Sequence, residues 1–435
     1  MDFRLTYDGK ASEERVLRFQ PAKAYRIWPT GDRSEANALY FGENLGLLAH
    51  LHRNLRGGVR LVYIDPPFAS RMVYHSRSED FAYTDLLDGA QYVEFLRKRL
   101  IFLRELLSED GSIYVHLDAK MAFAIKVVMD EVFGRSRFRN WITRRKCNPK
   151  NYTRNTFGSI CDFILFYTKS DRYVWNPQHE AWDEGRAKEY RYVEKETGRR
   201  FMKVPVHAPG TRNGETGLRW RGQLPPPGKH WQYTPKQLEE MDQRGEIVWS
   251  PNGNPRRKVY LDESSGIRVQ DLWLDMPDAH NQNIKITGYP TEKNYDLLKR
   301  IVSASSNPGD LVLDCFSGSG TTLHVASDLG RSWIGIDNSA HAIATTLQRF
   351  RHGPQRMGDY VAKRRQRANE LPLLAGQETS DARRGRSVPA IRDFTIYHSE
   401  EVDGELAAAL GDWEREDSES EPADNAVQIE RARVY

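Results

Sequence analysis

The sequence predicts an α/β protein: one doubly wound, mostly parallel, Rossmann-like sheet assembled from two separate stretches of chain. Three observations carry this. Near-continuous apolar runs at residues 59–64, 112–117 and 311–316 have strand length and suit strands covered on both faces, as parallel strands are. These runs alternate with segments whose apolar residues recur at helical spacing. The alternation stops between residues 135 and 288 and then resumes, so the two α/β stretches complete one sheet around an insert.

Residues 1–36 are polar and irregular and read as an N-terminal arm. Residues 37–134 form the first half of the sheet domain. Ala38-Leu39-Tyr40-Phe41 is a short strand running into Gly42-Glu43-Asn44, and 45–56 is a helix with leucines at helical spacing. The strand 59–64 ends at Asp65-Pro66-Pro67-Phe68. Two prolines cannot continue a central strand, so this tetrapeptide is a loop at its C-terminal end. A helix over 90–107, a strand over 112–117 and a helix over 120–133 follow.

Residues 135–288 carry scattered prolines, glycines and aromatics, with short strands and little helical periodicity. The stretch 141–290 has a net charge of +7 against +4 for the whole chain, so the basic charge is concentrated in the insert. Residues 289–370 restore the α/β pattern: a helix over 292–303, the strand 311–316, a glycine loop feeding a helix by 329, and a strand over 333–336. Residues 371–435 read as a charged tail, partly disordered. Its last stretch, 400–435, holds twelve acids against three arginines, and residues 394–397 are a candidate short strand.

Composition narrows the class. Apolar residues at 39% allow a sizeable core. Three cysteines, Cys147, Cys161 and Cys315, are too few for a disulfide framework and lack zinc-site spacing, so no metal site is expected and a reducing cytoplasm fits. No apolar run approaches the roughly 18 residues that span a bilayer, and the first ten residues lack the apolar segment of a signal peptide. The expected setting is cytoplasmic, beside the nucleoid, with no membrane partner.

Two motifs carry chemistry. In Asp314-Cys315-Phe316-Ser317-Gly318-Ser319-Gly320, the glycines sit between a strand and a helix, where they permit a sharp turn and close approach to a ligand. Asp337 ends the next strand, where an acid can accept hydrogen bonds from both hydroxyls of a ribose. No lysine follows the glycines, which argues against a nucleotide triphosphatase.

Asp65-Pro66-Pro67-Phe68 is the sharper signal. An exocyclic amine on a nucleobase is a poor nucleophile because its lone pair is delocalised into the ring. The Asp65 carboxylate and the Pro66 carbonyl can each accept one amine N–H, localising that lone pair for attack on a sulfonium methyl. Proline stiffening leaves little to reorganise, and Phe68 offers a face for stacking an extruded base. This chemistry needs no metal.

These motifs resemble the DNA amino-methyltransferases of the beta arrangement, in which the catalytic motif precedes the cofactor motif and a target recognition domain lies between them. The likeness covers roughly residues 1–350 and is nearest to type III modification subunits and related solitary enzymes. It implies S-adenosylmethionine as cofactor and double-stranded DNA as substrate. It assigns Asp65, Pro66, Pro67 and Phe68 to catalysis. It assigns Asp314, Phe316, Gly318, Gly320 and Asp337 to the cofactor, with Glu43 and Asn44 near the adenine; Glu43 stands where Asp is usual. Tyr289-Pro290-Thr291-Glu292-Lys293 resembles the segment before the cofactor loop, placing Lys293 at the methionine end, with Asn294 replacing a usual proline. Asp at the first position of the catalytic loop favours adenine N6, with cytosine N4 as the alternative. The resemblance also implies a homodimer and, in some members, a restriction subunit.

In the insert, Arg144-Arg145-Lys146 and Arg256-Arg257-Lys258 are candidate DNA contacts. Trp220, Trp231, Tyr233, Trp249 and Tyr260 are read as a small core before they are read as base-stacking groups, and His116 as structural before catalytic. Two other readings stay open. One is a structured RNA substrate, against which the large insert argues. The other is a catalytically silent recognition subunit, against which Asp65 and the glycine loop argue.

Overall fold

The structure is a computed structural model. It describes residues 4–28, 37–67, 73–75, 81–84, 89–149, 155–182, 185–278, 285–286, 292–353, 355–356, 391, 393–402 and 404–420. Residues 1–176 and 270–435 make one compact unit, and 177–269 a second.

The first unit is built on a ten-stranded sheet. Its strands are β1 (Tyr25–Trp28), β2 (Asn37–Phe41), β3 (Val59–Ile64), β4 (Leu107–Leu117), β5 (Phe138–Arg145), β6 (Cys161–Thr168), β7 (Leu272–Trp273), β8 (Leu311–Asp314), β9 (Ser332–Asp337) and β10 (Phe394–His398). Their order across the sheet is β1-β10-β2-β9-β8-β3-β4-β6-β5-β7. The six strands from β10 to β4 are mutually parallel. β6 runs antiparallel to β4 and β5, and β1 antiparallel to β10. From β8 the chain moves to β9 on one side; from β3 it moves to β4 on the other. The adjacent carboxyl ends of β8 and β3 therefore flank a topological switch point, where open α/β sheets bind ligands. Asp314 ends β8 and Asp65 directly follows β3.

Helices α1 (Glu13–Leu17), α2 (Asn44–Leu55), α3 (Gly89–Leu106), α4 (Ala122–Phe133), α5 (Tyr295–Ser305), α6 (Thr321–Asp328), α7 (Ala340–His352) and α8 (Gly404–Ser420) complete the unit. α2 buries Leu45, Leu48 and Leu51 at helical spacing, and its Glu43 cap accepts from the Gly46 N–H. α5 begins later than the apolar spacing suggests because Asn294 caps it, accepting from the Asp296 N–H. One core joins residues from both sequence halves: Leu47, Val62, Leu100, Phe102, Ile113 and Val115 pack with Leu313, Cys315 and Ile336.

Both ends of the chain hold more structure than their composition signals. The expected arm contributes α1 and the edge strand β1. In the expected tail, β10 lies between β1 and β2, and α8 buries Leu406, Leu410 and Trp413. These three residues sit at positions i, i+4 and i+7, an apolar stripe diluted by the acids around it. The insert is also organised differently from the span 135–288. β5 and β6 belong to the main sheet, and the separate compact unit spans 177–269.

That second unit has a four-stranded antiparallel sheet in the order Tyr192–Val193, Arg200–Pro205, Pro255–Tyr260, Ile247–Trp249. Its core is Val206, Trp220, Trp231, Leu238 and Ile247, with Tyr233 and Trp249 packed against it, so most of the interleaved aromatics are core. The helix Pro235–Gln243 starts at a reciprocal Thr234–Gln237 capping box.

Candidate active site

β3 is fully buried along most of its length and delivers Asp65 to the sheet's carboxyl edge. Pro66 is buried and Pro67 half-buried; Phe68 lies outside the described residues. Lys293 Nζ lies 2.8 Å from Asp65 Oδ2. Asp65 Oδ1 is buried and has no hydrogen-bond partner among the described residues. A carboxylate oxygen out of water without a donor is costly unless a ligand supplies one.

Behind Asp65 stands His116, at the end of β4 and wholly buried, its Nδ1 4.0 Å from Asp65 Oδ1 and 2.9 Å from the Tyr63 hydroxyl. Its Nε2 faces Asp162 Oδ2 at 3.4 Å. Burial lowers the His116 pKa below its usual value, so the ring is neutral at neutral pH. Burial works to raise the Asp162 carboxyl, but the interaction with His116, the charge of Lys293 and the hydrogen bond from Lys146 outweigh it and hold it well below the usual carboxylate range. The neutral tautomer that satisfies both neighbours carries its proton on Nε2 toward Asp162 and accepts the Tyr63 O–H at Nδ1.

Of the basic residues expected at DNA, Arg144 is instead interior. It is completely buried, donates from Nε to the Met276 carbonyl at 2.6 Å and from Nη2 to Asp278 Oδ1 at 2.7 Å, and faces Asp162 through Nη1. A guanidinium so enclosed cannot reach a phosphate. Lys146 Nζ donates to Asp162 Oδ1 at 2.8 Å, and Arg145 is half-buried. Arg144 and Lys146 therefore support the site from within; strand pairing of Arg144 with Asp162 puts them there. No local sequence signal marks Asp162, because only the antiparallel register of β4 and β6 brings it to His116.

The glycine loop after β8 is held from several sides. Gly318 and Gly320 adopt left-handed backbone, φ 49° and 70°. Asp314 accepts from Thr322 Oγ1 at 2.6 Å and from the Phe316 N–H at 3.0 Å. Burial pushes the Asp314 carboxyl up to about 7, against these bonds and with the charges of Asp65 and Asp337 adding to the rise. Asp337 accepts from the Gly318 N–H at 2.8 Å and from the Ser339 N–H at 3.0 Å. Arg349, buried on α7, donates to the Ser319 carbonyl at 2.6 Å and pairs with Glu292, while Thr346 Oγ1 donates to the Gly318 carbonyl at 3.0 Å. Glycine spacing alone did not reveal Arg349 or Thr346.

Glu43 and Asn44 are engaged with protein. Buried Arg99 pairs with Glu43 and donates from Nε to Asn44 Oδ1, and Asn44 Nδ2 donates to the Cys315 carbonyl at 2.7 Å. Asn44 thus holds the start of the glycine loop, and Glu43 braces it only through Arg99. Phe316 is half-buried against Phe95.

The loop's chemistry fits an adenosyl cofactor. The Ser317 hydroxyl is buried with no partner among the described residues. The Asp337 carboxylate, already oriented by two backbone donors, keeps acceptor capacity for ribose hydroxyls. Among the described residues no cluster of three or more metal-ligating side chains occurs, and no helix is long and apolar enough to cross a membrane.

In the second unit the strand Pro255–Tyr260 splits the other basic triplet between two faces. Arg257 turns toward Tyr233 of the tryptophan core. Lys258 pairs with Glu194 at 2.6 Å on the opposite face, and Arg256 is exposed there. Lys203, cross-strand from Lys258, lies over the Tyr192 ring at 3.9 Å.

A parallel sheet with the Asp65 carboxylate and a glycine loop at its switch point is the arrangement of an enzyme that binds a nucleotide cofactor. The chain belongs to the N6/N4 DNA methylase family, whose pattern it matches over residues 59–348; the family's methyl donor is S-adenosylmethionine. It is similar to the type II methyltransferase M.EcaI of Enterobacter cloacae, 46% identical over 401 residues that cover 91% of this chain and 87% of that one. It is also similar to M.KpnI of Klebsiella pneumoniae, 26% identical over 76% of this chain and 87% of that one. The type III EcoP15I Mod subunit of Escherichia coli is 23% identical over 75% of this chain and 62% of its own. Among solved structures, M1.HpyAVI in complex with SAM overlaps at TM-score 0.40, 18% identical over 72% of this chain and 98% of that one.

Proposed function

We propose that this DNA methyltransferase acts on the N6 amine of adenine at a specific site in duplex DNA, taking the base out of the helix. The observation that carries the reading is Asp65: one oxygen is fixed by Lys293, and the other is a buried acceptor with no donor among the described residues. That oxygen accepts one amine N–H and the Pro66 carbonyl accepts the other. With the lone pair localised, the amine forms the new N–C bond as the C–S bond breaks with its electrons left on sulfur, and one amine proton passes to water. S-adenosylmethionine supplies the methyl group on a positive sulfonium centre. The glycine loop and Asp337 hold the cofactor, and the 177–269 unit, with its exposed Arg256, contributes to reading the DNA. Asp rather than Ser at the first position of the catalytic loop supports adenine, through the family resemblance.

The test is sequencing of modified bases in DNA from cells that express the chain, beside cells expressing Asp65→Ala. N6-methyladenine in one short sequence, absent with the variant, is the expected result. N4-methylcytosine would move the target to cytosine. An equal signal from both chains would remove Asp65 from the mechanism.

A further inference from the structure

We propose that Lys293 is a positioning residue for methyl transfer: its ammonium holds the Asp65 carboxylate in orientation by Oδ2, so that Oδ1 meets the target amine, and anchoring the methyl donor is not its task. The proposal rests on the reading of Asp65 given above.

The geometry is direct. Lys293 Nζ contacts Asp65 Oδ2 at 2.8 Å, with the two side chains only 11% and 16% exposed. In so enclosed a place a carboxylate oxygen needs a donor, and the ammonium supplies one to Oδ2, which fixes the plane of the carboxylate and leaves Oδ1 to accept the amine N–H.

The other groups facing Asp65 do not supply that charge. His116, 4.0 Å away, is held neutral by burial. Tyr63 is buried and its phenol is pushed well above its usual value. Asp162 and Asp314 are acids. Arg144 and Lys146 spend their charge on Asp162 and Asp278. Lys293 is thus the cation that touches Asp65 among the described residues.

The backbone around Lys293 is pinned on both sides, as positioning requires. Glu292 is buried against Arg349. Asn294 is buried, donates from Nδ2 to the Pro277 carbonyl at 3.0 Å and caps α5. Lys293 therefore belongs to the cofactor half of the chain but acts on the catalytic loop of the other half. Asp65 reaches its working orientation only when the two halves have closed into one sheet.

The experiment is single-turnover methyl transfer to duplex DNA containing the methylated site, measured at saturating cofactor for wild type, Lys293→Met, Lys293→Arg and Asp65→Ala. Calorimetric titration of S-adenosylmethionine accompanies each. With Lys293→Met, the transfer rate at saturating cofactor should fall by about 100-fold, the cost of a misplaced reacting group, while cofactor affinity stays near wild type. Lys293→Arg should restore most of the rate. An unchanged rate in Lys293→Met overturns the proposal, and so does lost cofactor affinity with a wild-type rate at saturating cofactor, which would make Lys293 a cofactor anchor. Should Lys293→Met fail to fold, Lys293→Gln read against Lys293→Arg gives the same comparison. A wild-type rate in Asp65→Ala would instead overturn the catalytic reading of Asp65 itself.

Discussion

Asn44 Nδ2 donates to the carbonyl of Cys315 across 2.7 Å, a buried bond between residues 271 positions apart. It ties the N-terminus of α2 to the turn that follows β8, and Arg99 in turn holds the Asn44 side chain.

Asn44→Ala should therefore loosen the cofactor loop. It strands the Cys315 carbonyl in the interior, a loss of roughly 1–3 kcal/mol, and should lower both the melting temperature and S-adenosylmethionine affinity. Melting and calorimetry that match wild type would show that the loop does not depend on this joint.

Gly320 is constrained by its own fold. At φ 70°, a Cβ would stand 2.7 Å from Thr346 Cγ2 and 2.8 Å from its Oγ1. Gly320→Ala should lower the melting temperature, with a left-handed backbone cost of about 1–2 kcal/mol added to the collision. Thr346→Ala in the same chain should recover the collision part, less the bond that the Thr346 hydroxyl gives the Gly318 carbonyl, which the Thr346→Ala single variant measures. If the double variant is no more stable than Gly320→Ala, the constraint lies in the backbone only.

Asp314 gives a pH signature. Its carboxyl is raised to about 7, chiefly by burial. A raised carboxyl favours the folded state fully below the unfolded-state value, and that contribution is lost as pH climbs through the folded one. Between about pH 4 and pH 8, wild type should lose stability relative to Asp314→Asn. A melting-temperature difference that stays flat over this range would place the carboxyl at its ordinary value.

Arg256 and Lys258 should behave differently although they are two residues apart. Arg256→Ala removes an exposed charge and should flatten the salt dependence of DNA binding by about 0.9 in log–log slope, one released counterion. Lys258 is engaged with Glu194, so Lys258→Ala should change the slope less. Equal slopes for wild type and Arg256→Ala would remove this face from the DNA interface.

Truncation at residue 399 should impair the enzyme, contrary to the expectation for a disordered acidic tail. It removes α8, whose Trp413 meets Trp28 and Phe394 edge-on at 5.9 and 5.5 Å. It also removes Glu400, which accepts from the Glu43 N–H at 2.8 Å. A lower melting temperature is expected; an unchanged one would make α8 dispensable.

Local pattern was enough to place the central parallel strands, the helices between them, the proline loop that ends β3 and the glycine loop after β8. Each is written in contiguous residues: a run such as Val59 to Ile64 must be buried on both faces, and two prolines must end it. The aromatic core of the second unit was legible for a similar reason, since large apolar side chains have few alternatives to packing together. What pairs with what was decided only by tertiary structure. Lys293 reaches Asp65, Asp162 reaches His116 and Arg349 reaches Ser319 through strand register and helix packing, which no short window of sequence encodes. Arg144 looked like a surface contact because three consecutive basic residues usually face water. The antiparallel pairing of β5 with β6 turned it inward, where Asp162 and Asp278 offset the cost of burying its charge. The C-terminal helix was hidden by the acids that surround it, and the place of the candidate strand at 394–397 was decided only where β10 joins the parallel edge beside β2.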